Sequence, residues 1–382
     1  MQGTLRREKP AFLASYSVSV FQKDAIQEIL GGNIGFRGRH ETDFTTAAPK
    51  EKGSAEGRKN PQTFLRGKDV AQMWGKTLKL RRVCVTIKGK QHNRSARLRR
   101  RAETMKLGFS TIGCPEWDWA EILGTAKDMG IDGIEIRGVE DELDPMKITI
   151  FDKEHLAKTR QQLAQAGIEI AMLASSVTLG SPKGSEEGER QLQQAKNQID
   201  FAAENGIPFV RVLLTLDPKP VPADLEAAEE RYCALCNYAR NKNVRVLVES
   251  CGLFSDTALL GYFVRKADPQ TRGVLWDIQH PYRHCGEKPK QTVANLGDEI
   301  YYVQVKDSVV DENGEIEYRM MGLGDLPVYD AVRELHHKGY DGYLTLEWLK
   351  RWRPELRDPD VIFYHFQTYM ETLLAEIESD EK

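Results

Sequence analysis

Four short runs of this 382-residue chain end in a side chain that offers oxygen. "VRVLVES" ends at Glu249, "GVLWDIQH" reaches Asp277, "YYVQVKD" presents Gln304, and "GYLTLEW" reaches Glu347. Strand alternation puts each on the face of the residue two before it: Leu247, Leu275, Tyr302 and Thr345. A buried amide such as Gln304 needs a partner, and three carboxylates gathered in a partly dry cavity raise one another's pKa. A divalent cation meets both needs. Three carboxylate oxygens and an amide oxygen form a hard donor set, suited to Mn2+ or Mg2+, with Co2+ also accommodated. Any one of these acids alone would read as a helix cap or an arginine partner. Four at successive strand ends point to a metal site.

The elements that must carry these residues alternate. The pattern predicts strands at 106–110, 133–136, 169–173, 209–213, 245–249, 273–277, 300–306 and 343–347. It predicts helices near 120–129, 153–166, 187–205, 225–241, 256–267, 290–296, 328–338 and 361–377. Gly130, Gly167, Gly206 and Gly339 each follow a helix, as C-terminal caps do. Eight βα units predict an α/β fold, a (β/α)8 TIM barrel over 105–382, whose chemistry belongs at the C-terminal strand ends. An open doubly wound sheet would carry a glycine-rich turn after its first strand, and "STIGCPEW" has none.

"MGIDGIEIR", "VLVES", "WDIQH", "VQVKD", "GLGDLPV" and "GYDGYLTLEW" together resemble the xylose-isomerase-like barrel family of sugar (phosphate) isomerases and epimerases. The resemblance covers 105–382. It implies one divalent metal on Glu249, Asp277, Gln304 and Glu347. It also implies an isomerase or epimerase of a small ketose, keto-polyol or related sugar, with Glu249 and Glu347 moving the proton through an ene-diolate. Gln304 stands where epimerase-like members carry His. It looks more like hydroxypyruvate isomerases and dehydroshikimate dehydratases, so a dehydratase is the alternative. His280, in Asp-x-x-His, resembles the family's substrate-contacting His, and Arg319 the Arg that reaches a distal hydroxyl. Lys306, Glu135, Arg137 and Trp117 complete the expected substrate-binding set, with Glu135 and Arg137 lining the mouth or pairing with each other. Trp348 could share an apolar wall with Trp117.

"GLGDLP" tests for phosphate. Asp325 two residues before Pro327 reads as an N-cap, and an acid there repels phosphate. Lys350, Arg351 and Arg353 after the last strand offer a separate anion site. A trinuclear zinc nuclease on the same barrel would need several strand-end histidines. Only six His follow Met105, and none ends strands two to four. A non-catalytic barrel would be expected to lack Glu249 or Glu347, and both are present.

Residues 1–104 carry net charge +14 and the remainder −17. The basic segment has no sustained period and is expected to be a disordered extension, or translated leader ahead of a start at Met105. Six scattered cysteines fit a reducing, cytoplasmic setting, and Cys233-x-x-Cys236 falls inside a predicted helix. No apolar run of membrane-spanning length occurs. The expected partners are a small carbohydrate and further copies of the chain in a homodimer or homotetramer, with neither membrane nor nucleic acid.

Overall fold

The computed structural model describes residues 105–380. The expectations for 1–104 lie outside them. Eight parallel strands close a barrel: β1 Lys106–Ser110, β2 Gly133–Ile136, β3 Glu169–Leu173, β4 Phe209–Val212, β5 Arg245–Glu249, β6 Arg272–Asp277, β7 Ile300–Val305 and β10 Tyr343–Leu346. β1 pairs with both β2 and β10, which completes the ring. Two further strands, β8 Asp307–Val310 and β9 Ile316–Arg319, form an antiparallel hairpin directly after β7.

The helices are α1 Trp119–Met129, α2 Leu156–Ala166, α3 Glu186–Asn205, α4 Leu225–Ala239, α5 Thr257–Val264, α6 Gln279–Cys285, α7 Pro289–Leu296, α8 Val328–His337 and α9 Pro359–Asp380. Local chemistry sets their ends. Asp118 and Glu121 form a capping box on α1, and Ser185, Asp224 and Asp256 cap α3, α4 and α5. Gly130, Gly167 and Gly206 take left-handed conformations that close α1, α2 and α3. Three predicted helices are shorter than expected by two residues or more, among them α5, which stops at Val264. α2 starts late because Asp152 accepts the amides of Glu154 and His155 in a turn of its own. α4 stops at Ala239, and Asn241 and Asn243 follow with positive φ. None of the described helices is long and apolar enough to cross a membrane.

The apolar residues fall into two cores. One lies between the strands and the helix ring. The other fills the barrel and includes Met172, Leu247, Leu275, Tyr302 and Tyr343. The inward faces expected for β5, β6 and β7 are therefore correct. This inner core plugs the barrel beneath the strand ends, so the polar residues sit on a packed floor. Tyr302 and Thr345 join the two levels by a 2.7 Å hydrogen bond.

Gly133 shows how tight the closure is. A Cβ there would lie 2.4 Å from the Tyr343 ring and 3.0 Å from the Cβ of Ala171. Gly133→Ala is expected to destabilise the protein by about 1–3 kcal/mol through overpacking. A denaturant titration checks this, and an unchanged midpoint would show that the ring yields freely.

Candidate functional site

The C-terminal ends of β2, β4, β5, β6, β7 and β10 meet at one mouth. Its charges are ordered in pairs. Arg211 on β4 donates from Nη1 to Glu249 Oε2 at 2.8 Å, and the same nitrogen is 3.8 Å from Glu347 Oε1. Its remaining donors reach the carbonyls of Ser175 and Ala174. Lys306, just beyond β7, donates to both Asp277 and Glu347. All five side chains are buried. The three carboxylates thus converge as expected, but the protein's own cations already pair them. The charge argument for a metal is met in part by Arg211 and Lys306.

The pKa shifts follow from this pairing. Burial opposes the charge on Arg211, yet Glu249 and Glu347 outweigh it and its pKa rises. Lys306 is likewise raised well above its usual value, because Asp277 and Glu347 outweigh desolvation. Burial works against ionised Asp277, but Lys306 and His280 hold its pKa below the usual range. Glu135 on β2 goes the other way. Desolvation first, and then the charge of Glu347, push it up to about 7.

Glu135 answers for half of Gln304. The Gln304 amide nitrogen donates to both oxygens of Glu135 at 3.1 Å, across the lumen from β7 to β2. Its Oε1 is buried without a partner. Glu135 does not pair with Arg137, whose guanidinium faces the ring of Trp352 at 5.9 Å. His280 lies at the start of α6. Its Nε2 is 3.3 Å from Asp277 Oδ2 and 4.0 Å from Glu249 Oε1. Its ring stacks on His284 at 5.6 Å, and burial, with His280 beside it, lowers the His284 pKa.

Metal-ligand geometry brings Glu249, Asp277 and His280 together, with one donor atom from each inside a 4.8 Å span. The free carbonyl oxygen of Gln304 and the two acids fit a hard divalent ion, and an imidazole is compatible with Mn2+ or Co2+. Glu347 is not in that trio. One of its oxygens is held by Lys306.

A sequence profile described as "Xylose isomerase-like TIM barrel" matches residues 123–362, more than half the chain. The chain belongs to that family. Its similarity to the fructoselysine 3-epimerase of Shigella flexneri is 24% identity over 266 residues, 66% of this chain and 93% of the relative. Two solved structures share the fold. A Mycobacterium smegmatis protein in complex with magnesium has TM-score 0.55 at 18% identity, covering 72% of this chain and 98% of its own. The D-psicose 3-epimerase of Clostridium cellulolyticum, solved with D-tagatose, has TM-score 0.56 at 16% identity, covering 70% and 98%.

Other expected family residues fall outside the paired cluster. Arg319 is on β9, half exposed and ion-paired with Glu317. It lines a cavity of about 510 Å3 with Tyr318, Trp348 and Arg353. Tyr318 connects that cavity to the mouth, its hydroxyl lying 3.5 Å from Gln279 Nε2. Trp117 packs edge-on against Phe363 at 5.5 Å, and Trp348 donates its indole N–H to the carbonyl of Arg357.

The glycine loop is an anion receptor whose anion is internal. The backbone amides of Ser308, Gly322, Gly324 and Leu326 all donate to the Asp307 carboxylate. Asp325 caps nothing. It pairs with Arg283, and α8 begins after Pro327 without a side-chain cap. Lys350 is spent on the carbonyls of Pro354 and Leu356 and on Asp358.

Arg211 is the main residue the sequence reading passed over. "PFVRVLL" carries the signal, because alternation sets Arg211 opposite Val210 and Val212 on an inward face. Arg211→Met strands Glu249 and part of Glu347, and is expected to cost about 3–5 kcal/mol in a denaturant titration. A loss under about 1 kcal/mol would show that solvent reaches the pair.

Glu135 yields a pH prediction. Its folded pKa lies above the ordinary 4.5, so the folded state binds more protons between about 4.5 and 7. Its contribution is full below that window and is lost as pH rises through it. Glu135→Gln, melted in EDTA across pH 4.5–7.5, should lose that fall in stability relative to the unaltered chain. Parallel profiles would show that Glu135 titrates normally.

Proposed function

We propose that this chain is a divalent-metal-dependent isomerase or epimerase of a small ketose or related keto-sugar. The observation that carries the proposal is two buried carboxylates, Glu249 and Glu347, held by one guanidinium beside a donor set of Asp277, His280 and Gln304. The relatives' names, epimerases of fructoselysine and psicose, support the same class, and the magnesium complex supports the metal.

Glu249, Asp277 and His280 would hold the ion, with Gln304 offering Oε1. When bound, the metal polarises the sugar carbonyl and acidifies the neighbouring C–H. The chain's own residues do the rest. One of Glu249 and Glu347 takes the proton from carbon and the other returns one, to the opposite face or the next carbon. Arg211 fixes both carboxylates in one geometry. Lys306 sets a buried ammonium against Glu347, at the level where negative charge develops on the substrate oxygens. Burial of the cluster keeps water from competing for the proton.

The test is proton exchange in heavy water with D-tagatose, D-psicose and fructoselysine, with and without Mn2+. Deuterium should enter recovered sugar at the carbon beside the carbonyl, stop in EDTA and return with Mn2+. Glu249→Gln and Glu347→Gln should each slow exchange by about 10²–10⁴-fold. Irreversible loss of water with a new conjugated absorbance would reassign the same carboxylates to a dehydration. No Mn2+ binding and no exchange on any ketose would sink the proposal.

A further inference from the structure

The mouth holds three buried cations, and two are matched. Arg211 has Glu249 and two carbonyls, and Lys306 has Asp277 and Glu347. The third is Arg137, directly after β2. It is 9% exposed, and its backbone N–H donates to Thr111 Oγ1. Among the described residues its guanidinium has no hydrogen bond and no ion pair. The neighbouring carboxylates are already committed: Glu249 to Arg211, Glu347 to Lys306, and Glu135 to the Gln304 amide.

What covers Arg137 is the indole of Trp352, 5.9 Å away and itself 52% exposed. Trp352 comes from the loop after β10. That loop is tied to the loop after β2 by Arg351, which donates to the carbonyl of Glu140 at 2.5 Å. Burial, and then the charge of Arg211, lower the Arg137 pKa to about 10, so it stays a cation at neutral pH. Glu347, Glu135 and Glu249 stabilise its charge at longer range, and none of them contacts it directly. Its nitrogens keep some contact with solvent in the mouth, so a ligand entering there can reach them.

We infer that Arg137, roofed by Trp352, receives an oxyanion of the substrate. The keto-sugar would therefore carry a carboxylate or a phosphate away from the carbons that exchange protons. This rests on the reading of the site as a keto-sugar isomerase, and it narrows the substrate class. The planar fork of Arg suits both anions in bidentate fashion. The indole excludes water on one side and so strengthens the attraction.

The experiment is calorimetric titration of the full chain with inorganic phosphate and, separately, with acetate, on the unaltered protein, Arg137→Gln and Arg137→Lys. At least one anion should bind, and Arg137→Gln should weaken it by about tenfold or more, the equivalent of one lost charge-assisted hydrogen bond. Arg137→Lys should fall between, and it carries the test if Arg137→Gln fails to fold. Which anion binds identifies the substrate's group. Without anion, Arg137→Gln should melt at or above the unaltered chain, since it removes an unmatched buried charge. An arginine that merely held the fold together would melt lower when replaced. In proton exchange, Arg137→Gln should raise KM for a phosphorylated or carboxylated ketose at least about tenfold more than it raises KM for D-tagatose. Binding of neither anion with a Kd below about 10 mM, or equal affinity in all three proteins, would overturn the inference. Arg137-dependent anion binding without exchange on any ketose would sink the isomerase reading and leave the anion receptor standing.

Discussion

Charge balance at the top of the barrel is the constraint on which the rest depends. Glu249, Asp277 and Glu347 are brought within reach of one another by three strands that cannot move apart without opening the barrel. Such a cluster folds only if its charge is neutralised where it is buried. Arg211 enters from β4 and Lys306 from just beyond β7, one from each flank. Glu347 is shared between them, in hydrogen-bond contact with Lys306 and 3.8 Å from Arg211. The cluster is therefore one electrostatic unit, and its members would respond together to substitution.

Beneath that unit the barrel is filled mainly by apolar side chains and the rings of Tyr302 and Tyr343. The floor fixes the height at which charge begins. It also explains why Gln304 and Glu135 meet across the lumen. Gln304 follows Tyr302 by two residues on β7 and pairs in register with Thr345 on β10, where the inward residues turn from apolar to polar. Glu135 is the one mouth carboxylate without a cation of its own, and its raised pKa is the result. A neutral amide is the partner that least penalises a carboxyl group free to gain or lose a proton.

The sequence shows the barrel well because each strand is a short apolar run bounded by turn residues, and each parallel crossover needs a helix between. Strand ends were legible to within a residue or so, and with them the positions of Glu249, Asp277, Gln304 and Glu347. Pairing was not legible. Alternation tells that Arg211 points inward, but not which of several acids it meets, since that depends on barrel stagger and not on local pattern. The hairpin β8–β9 carried its own signal in "DENGE", where Asp311 accepts amides from Asn313 and Glu315 and Gly314 takes positive φ. The sequence reading assigned no element between the strand at 300–306 and the helix near 328–338. Asp325 looked like a cap because sequence spacing cannot reveal that Arg283, 42 residues earlier, claims its carboxylate.

Hydrogen-bond satisfaction gives a last, independent pointer. Native interiors leave few polar atoms unmatched. Here Gln279 Oε1, His280 Nδ1, His284 Nε2 and Gln304 Oε1 are all buried without partners, and all follow β6 or sit in β7. Arg137 faces the same mouth, unmatched, from β2. Gln198 Oε1, Asn205 Oδ1 and Ser255 Oγ are also unmatched, but at several other places the chain satisfies such groups fully. Four backbone amides converge on Asp307, and Arg231 donates to three carbonyls. Free acceptors on one side of the mouth and a free cation on the other are what a cation and an anionic ligand would each complete. Four of the unsatisfied atoms thus gather where the proposed ligands would bind, beside the carboxylates the fold has already paired.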